Sequence, residues 1–388
     1  MKAPAAGTLA LRLSVFFGAY FLIHGVSLTY LPVWLDARGL SATGISIASS
    51  APMILRLLLT PGLAFLADRA SAHRQMILAA CFSAFGFLLA LMQPWPIAVT
   101  VVLIVSAQVA IGTVMPMVDT VTMTEVKRHG LDYGRIRLWG SLTFILASFI
   151  AGFAVAAKGA EAVLALMIAG MALTAAAAIM LPRSEPQAPG GAARLTLAEA
   201  LALVRNRHFL LFLVLAGAIQ ASHAVLYVFG VLHWRAQGLS AGYIATLWAI
   251  AVLAEIALFW AGRWIKRIGA LELLLLGAGT GLVRWLAMAF DPHPLLLVPL
   301  QILHAGTFAA THLGSMHWIA ARVPAATAGT AQALLSTCTS GIAMAGAMLL
   351  AGPLYAAWAG RAYLAMVVLC ALALLAGLAL RKAEQRTQ

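Results

Sequence analysis

The chain has 388 residues, 63% of them hydrophobic and only 10% charged, and its 25 Lys and Arg against 12 Asp and Glu give a formal net charge of +13. With a mean hydropathy of +0.96, this composition excludes a soluble globular domain and makes the lipid bilayer the solvent of most of the chain. The basic excess, gathered in short gaps between apolar stretches, is then a topology signal and not a nucleic-acid footprint.

A helix needs about 20 apolar residues to cross a hydrocarbon core ~30 Å thick. Breaks at charge, Pro or Gly predict spans over 13–35, 43–67, 75–93, 97–126, 133–157 and 161–181. A polar stretch over 182–207 follows, then spans over 208–234, 241–263, 270–289, 295–321, 327–351 and 361–380. The first span is longer than a secretory h-region and no small-residue cleavage site ends it, so it reads as a helix and not a removed leader. Cys81, Cys338 and Cys370 fall inside spans without metal-ligand spacing and read as small packing residues.

The stretch 182–207 carries Pro182, Pro186, Pro189, Gly190 and Gly191 before a short charged segment, the composition of a flexible linker. The expected fold is an all-α membrane protein of twelve transmembrane helices in two pseudo-symmetric six-helix bundles, 1–181 and 208–388, joined by a cytoplasmic linker. Internal similarity supports the division: Trp34-Leu-Asp-Ala-Arg-Gly-Leu-Ser-Ala42 is echoed 199 residues later by His233-Trp-Arg-Ala-Gln-Gly-Leu-Ser-Ala241. Many secondary transporters are duplicated in this way around a midplane site. Of the 25 Lys and Arg, nineteen lie at the two ends and in alternate loops, and only Arg38, Lys158, Arg235 and Arg361 in the opposite set. Positively charged short loops stay inside, so both termini are expected in the cytoplasm and the chain in a bacterial inner membrane.

Several runs then point to a family. Tyr20-Phe21, Gly25, Tyr30-Leu-Pro-Val-Trp-Leu35, Thr43-Gly44-Ile45 and Pro61-Gly-Leu-Ala-Phe-Leu-Ala-Asp68 resemble the opening of lactose-permease-type proton symporters of the major facilitator superfamily. Tyr133-Gly-Arg-Ile-Arg-Leu-Trp-Gly-Ser141, Arg284-Trp285, Gln301-Ile-Leu-His-Ala-Gly-Thr-Phe308 and Thr330-Ala-Gln-Ala333 resemble its 3-phenylpropionate transporter-like branch. The resemblance implies alternating access, with the first and fourth helices of each half lining a cavity. It also implies a gating role for Asp68 with Arg69, although the usual glycine of that loop motif is missing and Asp68 reads equally as a solvated loop acid.

Five Asp, Glu or Arg residues lie within spans away from the terminal residues: Arg56, Asp119, Arg137, Glu255 and Arg284. Each costs at least ~2.5 kcal/mol at a helix centre and so faces a cavity or a partner. At 1.5 Å rise per residue, Asp119 and Arg137 stand roughly 13 and 9 Å from the cytoplasmic ends of adjacent helices and are expected to pair, around substrate or as a structural bridge. Arg284 and His304 fall at roughly 21 and 17 Å and Glu255 at roughly 12 Å, close enough to meet. This trio resembles the proton-coupling cluster of the sugar symporters, with Glu255 as carrier; the second acid of that cluster is replaced here by Thr307. Burial favours a neutral carboxyl and a guanidinium a charged one, so a change in their separation moves a proton. A permanent Glu255–Arg284 bridge is the other reading, and it makes a uniporter.

Arg56 is then left without an acid, a place that an anionic substrate fills unless Arg56 competes for Asp119 or bonds carbonyls. His24, Gln220, His223 and Gln332 either line the cavity or hydrogen-bond a neighbouring helix. The expected activity is proton-coupled import of a small organic solute by a monomer, with aromatic or aliphatic carboxylates leading and sugars or nucleosides second; an exporter or a membrane sensor is the alternative class. No nucleophile–base pair, metal spacing or phosphate-binding glycine loop suggests an enzyme, and no cofactor or metal is expected beyond the proton gradient.

Overall fold

The computed structural model describes residues 6–182, 197–261, 265, 267–324 and 327–386, without the side chains of residues 64, 68 and 197–200. Every regular element among them is helical. Six long helices come first: α1 Ala6–Ala37, α2 Ala42–Ala70, α3 His73–Ala90, α4 Ile97–His129, α5 Tyr133–Lys158 and α6 Glu161–Ile179. The short α7 Leu197–Arg205 lies inside the stretch read as linker, whose residues 183–196 fall outside the described residues. Then come α8 Arg207–Ala221, α9 Ala224–Ala236, α10 Ala241–Trp260 and α11 Ala270–Met288. Two broken spans follow: α12 Pro294–Ile302 with α13 Thr311–Arg322, and α14 Ala328–Ser336 with α15 Met344–Trp358. The last helix is α16 Tyr363–Gln385.

Eleven helical stretches among the described residues are long and apolar enough to cross a membrane. The last of them, Ala328–Gln385, has 58 residues, roughly 87 Å of helix against a ~30 Å core. It turns back at Ala359, where φ is +47°, and so supplies two spans. The expected twelve are therefore present, with ends displaced by up to seven residues, the largest shifts where helices run on beyond the apolar stretch. A helix meets the demand of hydrocarbon, which offers no partner for a backbone N–H or C=O, by pairing these groups within its own segment. Large apolar side chains such as Leu58, Leu295 and Trp260 are exposed on it, as a lipid-facing surface requires.

The chain divides into two compact units, Met1–Gly190 with Ser240–Ala245, and Gly191–Leu239 with Thr246–Gln388. In the first unit α1 packs along α5 and α6, and α4 against α2 and α3. Gly25 makes the α1–α5 approach possible: a Cβ there would stand 2.6 Å from the Phe144 carbonyl oxygen and 2.9 Å from Ala147 Cβ. Local signals set the turns. Gly130 ends α4 in the left-handed conformation at φ +64°, and Asp132 caps α5 by accepting the Arg135 N–H at 3.2 Å. Arg74 reaches back from the basic turn to donate to the Ile179 carbonyl at the end of α6 (2.7 Å), a cation where the helix dipole is negative.

In the second unit α8 and α11 pack against α16, and Phe212 stacks on Trp318 at 4.2 Å in the hydrophobic core. The two echoing loop runs hold equivalent clamps. Arg38 grips Glu161 through two 2.8 Å hydrogen bonds with Trp34 Nε1 donating at 3.2 Å, while His233, the repeat mate of Trp34, lies 2.7 Å from Asp291.

Candidate functional site

The second unit buries a charged cluster where its helices are irregular. The α8–α9 span breaks at Ser222 and His223, and the turn over Ala305–Ala310, just after His304, is a wider π-helix, a form frequent at functional sites. Arg284 on α11 is completely buried, yet among the described residues no carboxylate lies at ion-pair distance from it. Its Nη2 donates to Gln301 Oε1 (2.6 Å), and Nη1 to His304 Nδ1 (2.9 Å) and Thr307 Oγ1 (3.3 Å). The Trp285 ring lies 4.4 Å from its Cζ, with the indole N–H donating to Ser222 Oγ at 2.9 Å. Hydrogen bonds to a charged group are worth roughly 1.5–3 kcal/mol each, and together they hold this cation in place.

His304 stands between the cation and the acid. Guanidinium nitrogens only donate, so His304 Nδ1 accepts, its ring proton is on Nε2, and that N–H donates to Glu255 Oε1 at 2.9 Å. The expected direct approach of Glu255 to Arg284 is thus replaced by a three-member array, because the His304 ring fills the space between α10 and α11. His223 extends it. The Gln220 carbonyl only accepts, so His223 Nδ1–H donates to it (3.1 Å) and Nε2 accepts the Thr307 hydroxyl (2.9 Å), the shorter of that hydroxyl's two acceptor contacts. Thr307, where the resemblance has a second acid, therefore joins Arg284 to His223. Gln301 and Thr307 were not singled out for this role, although they flank His304 at i−3 and i+3, on one helical face.

In the first unit Tyr20, His24, Arg56, Asp119 and Arg137 form one electrostatic neighbourhood on α1, α2, α4 and α5. Asp119 and Arg137 do not make the expected ion pair. Tyr133 intervenes: its hydroxyl donates to Asp119 Oδ1 at 2.9 Å and has the Arg137 guanidinium as its other charged neighbour. The Arg137 Cζ lies 3.9 Å from the Phe21 ring centroid, a cation–π distance, with Gly140 leaving room beside both groups. Tyr133 was missed as a site residue although it lies four residues before Arg137 on the same helix face. Arg56 donates from Nε to the Pro52 carbonyl (3.3 Å) and has no carboxylate at ion-pair distance among the described residues. The buried His24 Nδ1 has no hydrogen-bond partner among them either.

The remaining expected residues are dispersed. Gln220 lines a cavity of about 110 Å³ with Phe308, His312 and Ser340, and Gln332 is exposed on α14. Arg69 is exposed, and the side chain of Asp68 lies outside the described residues. The 199-residue register of the two loop runs also aligns His24 with His223 and Arg56 with Glu255. At one repeat position, then, the first unit carries a cation and the second an acid.

Comparison with known proteins agrees with this architecture. The model of the MFS_1 like family matches residues 10–365. The probable 3-phenylpropionic acid transporter of Escherichia coli (strain K12) is 32% identical over 308 residues, 78% of this chain and 80% of that protein. The maltose permease of Geobacillus stearothermophilus is 32% identical over 390 residues, 97% of this chain and 96% of its own length. The crystal structure of nucleoside transporter NupG shares the fold with a TM-score of 0.83 at 17% identity, covering 96% of this chain and 98% of that one. A bacterial homologue of the human lysosomal transporter Spinster does so with a TM-score of 0.74 at 16% identity, covering 98% and 99%. The chain belongs to the MFS_1-like family and is a multi-pass membrane transporter of the major facilitator type, not an enzyme.

Proposed function

We propose that this transporter is a proton-coupled symporter that imports a small organic carboxylate, with an aromatic acid of the arylpropionate kind as the leading substrate. The observation that carries this reading is the charge balance of the first unit. Two guanidiniums, Arg56 and Arg137, share a neighbourhood with one carboxylate, Asp119, which Tyr133 already engages. A carboxylate bound at Arg56 supplies the missing partner, and the Tyr20 and Phe21 rings make its surroundings apolar. In support, one relative bears the name probable 3-phenylpropionic acid transporter.

Proton coupling is assigned to the second unit. Glu255 carries the proton, His304 sets its distance from Arg284, and a shift of that array during alternating access loads and unloads the carboxyl. The protein works as a monomer in a bacterial inner membrane with both termini in the cytoplasm, driven by the proton gradient without a cofactor. A sugar or nucleoside is the second reading, favoured by the maltose permease relative over nearly the whole chain.

The test is uptake of labelled 3-phenylpropionate by proteoliposomes, with competition by its uncharged amide, by maltose and by uridine. Uptake displaced by carboxylates but not by the amide supports the reading. Uptake of maltose or uridine with indifference to carboxylates replaces it with the second.

A further inference from the structure

Arg56 leaves the middle of α2 and crosses to α4 at Gly112. The three atoms nearest to where a Gly112 Cβ would stand all belong to the Arg56 side chain, Cζ among them at 2.7 Å, closer than real Cβ contacts come. This differs from Gly25, whose nearest neighbour would be the backbone oxygen of Phe144. Gly25 lets two helices approach, whereas Gly112 lets one side chain lie flat on bare backbone. Two neighbours shape that seat. Pro116, four residues on, has no N–H to return to the Gly112 carbonyl, which leaves that carbonyl without its helix hydrogen bond. The Tyr20 hydroxyl donates to the adjacent Ile111 carbonyl at 3.1 Å and closes one side. Arg56 is anchored through Nε to Pro52, and among the described residues its two terminal nitrogens have no hydrogen-bond partner.

We propose that Gly112 is a positioning residue for anion recognition: its missing side chain lets the Arg56 guanidinium rest on α4, Nη1 against position 112, where its terminal nitrogens are free to bind a carboxylate. The inference rests on the assignment of Arg56 to substrate made above. A methyl group at position 112 displaces the far end of a flexible side chain and not a helix, so Gly112→Ala moves Arg56 while the fold persists.

The experiment is a double-mutant cycle on 3-phenylpropionate uptake by the full-length protein in proteoliposomes. Arg56→Gln and Gly112→Ala are each expected to raise KM at least ~10-fold, with the maximal rate within about twofold and unchanged amounts in the membrane. In the Arg56→Gln background, Gly112→Ala adds less than about a twofold further change, because its effect passes through the arginine. An unchanged KM in Gly112→Ala, or a full further loss in the Arg56→Gln background, overturns the inference and leaves the functional reading standing. An unchanged KM in Arg56→Gln, or no uptake by the parent, overturns that reading and the inference with it. Should Gly112→Ala fail to accumulate in the membrane, the Arg56→Ala/Gly112→Ala chain must restore it; no recovery contradicts the seat.

Discussion

His304 presents its two ring nitrogens to opposite partners, Nε2 to Glu255 Oε1 at 2.9 Å and Nδ1 to Arg284 Nη1 at 2.9 Å. Because Arg284 only donates, this histidine is a neutral spacer with its proton facing the acid, and in the proposed mechanism Glu255 is the group that exchanges protons. Glu255→Gln keeps the size of the side chain and removes that exchange. The variant is expected to retain substrate exchange across the membrane at near-parental rate while losing accumulation driven by an imposed proton gradient. Full accumulation by Glu255→Gln removes it as carrier.

The spacer role separates two substitutions at His304. An amide both donates and accepts, so His304→Gln is expected to keep the link and most proton-driven uptake. His304→Leu strips Arg284 of an acceptor and Glu255 of a donor at a fully buried site, a loss of roughly 1.5–3 kcal/mol that lowers the melting temperature by several degrees. Thermal unfolding in detergent with uptake at two proton gradients checks both, and abolished coupling in a stable His304→Gln chain means that the imidazole itself titrates.

Tyr133 ties Asp119 into place in the first unit. Tyr133→Phe is expected to destabilise by about 1–3 kcal/mol, since it leaves a half-buried carboxylate short of a donor. A subsequent Asp119→Asn is then less costly than in the parent, with a coupling of roughly 0.5–3 kcal/mol. Additive melting shifts show that the two residues act independently.

Gly25 has no such tolerance. The Cβ of Gly25→Ala meets the carbonyl of Phe144 and the methyl of Ala147, and these move only if α1 and α5 separate. The expected cost is about 1–3 kcal/mol, seen as lower membrane yield and an earlier unfolding transition. Parental stability means that α1 and α5 do not sit this close.

The twelve spans are legible in the sequence because apolar length alone decides them, and the largest displacements of their ends come where helices run past the apolar stretch, at the start of α1 and at the ends of α15 and α16. Which charges come together is legible for the same reason: Arg284, His304 and Glu255 fall at similar depth on neighbouring helices. The order within the cluster is not. A depth estimate assumes straight α-helix, and the π-turn after His304 breaks that assumption just where His304 and Thr307 both reach Arg284. Asp119 and Arg137 likewise come near each other without touching, because spacing along two helices does not reveal a tyrosine between them. Gly112 shows only in three dimensions, since a glycine in a membrane helix reads as packing until the side chain lying on it is seen.

The measurement that bears most directly on the whole account is the external pH of a weakly buffered suspension of proteoliposomes as 3-phenylpropionate is added, with ionophore and empty-vesicle controls. Carboxylate-proton symport predicts a transient alkalinisation that disappears with the ionophore and in Glu255→Gln. Labelled uptake of 3-phenylpropionate without any pH change contradicts it and makes the protein a uniporter.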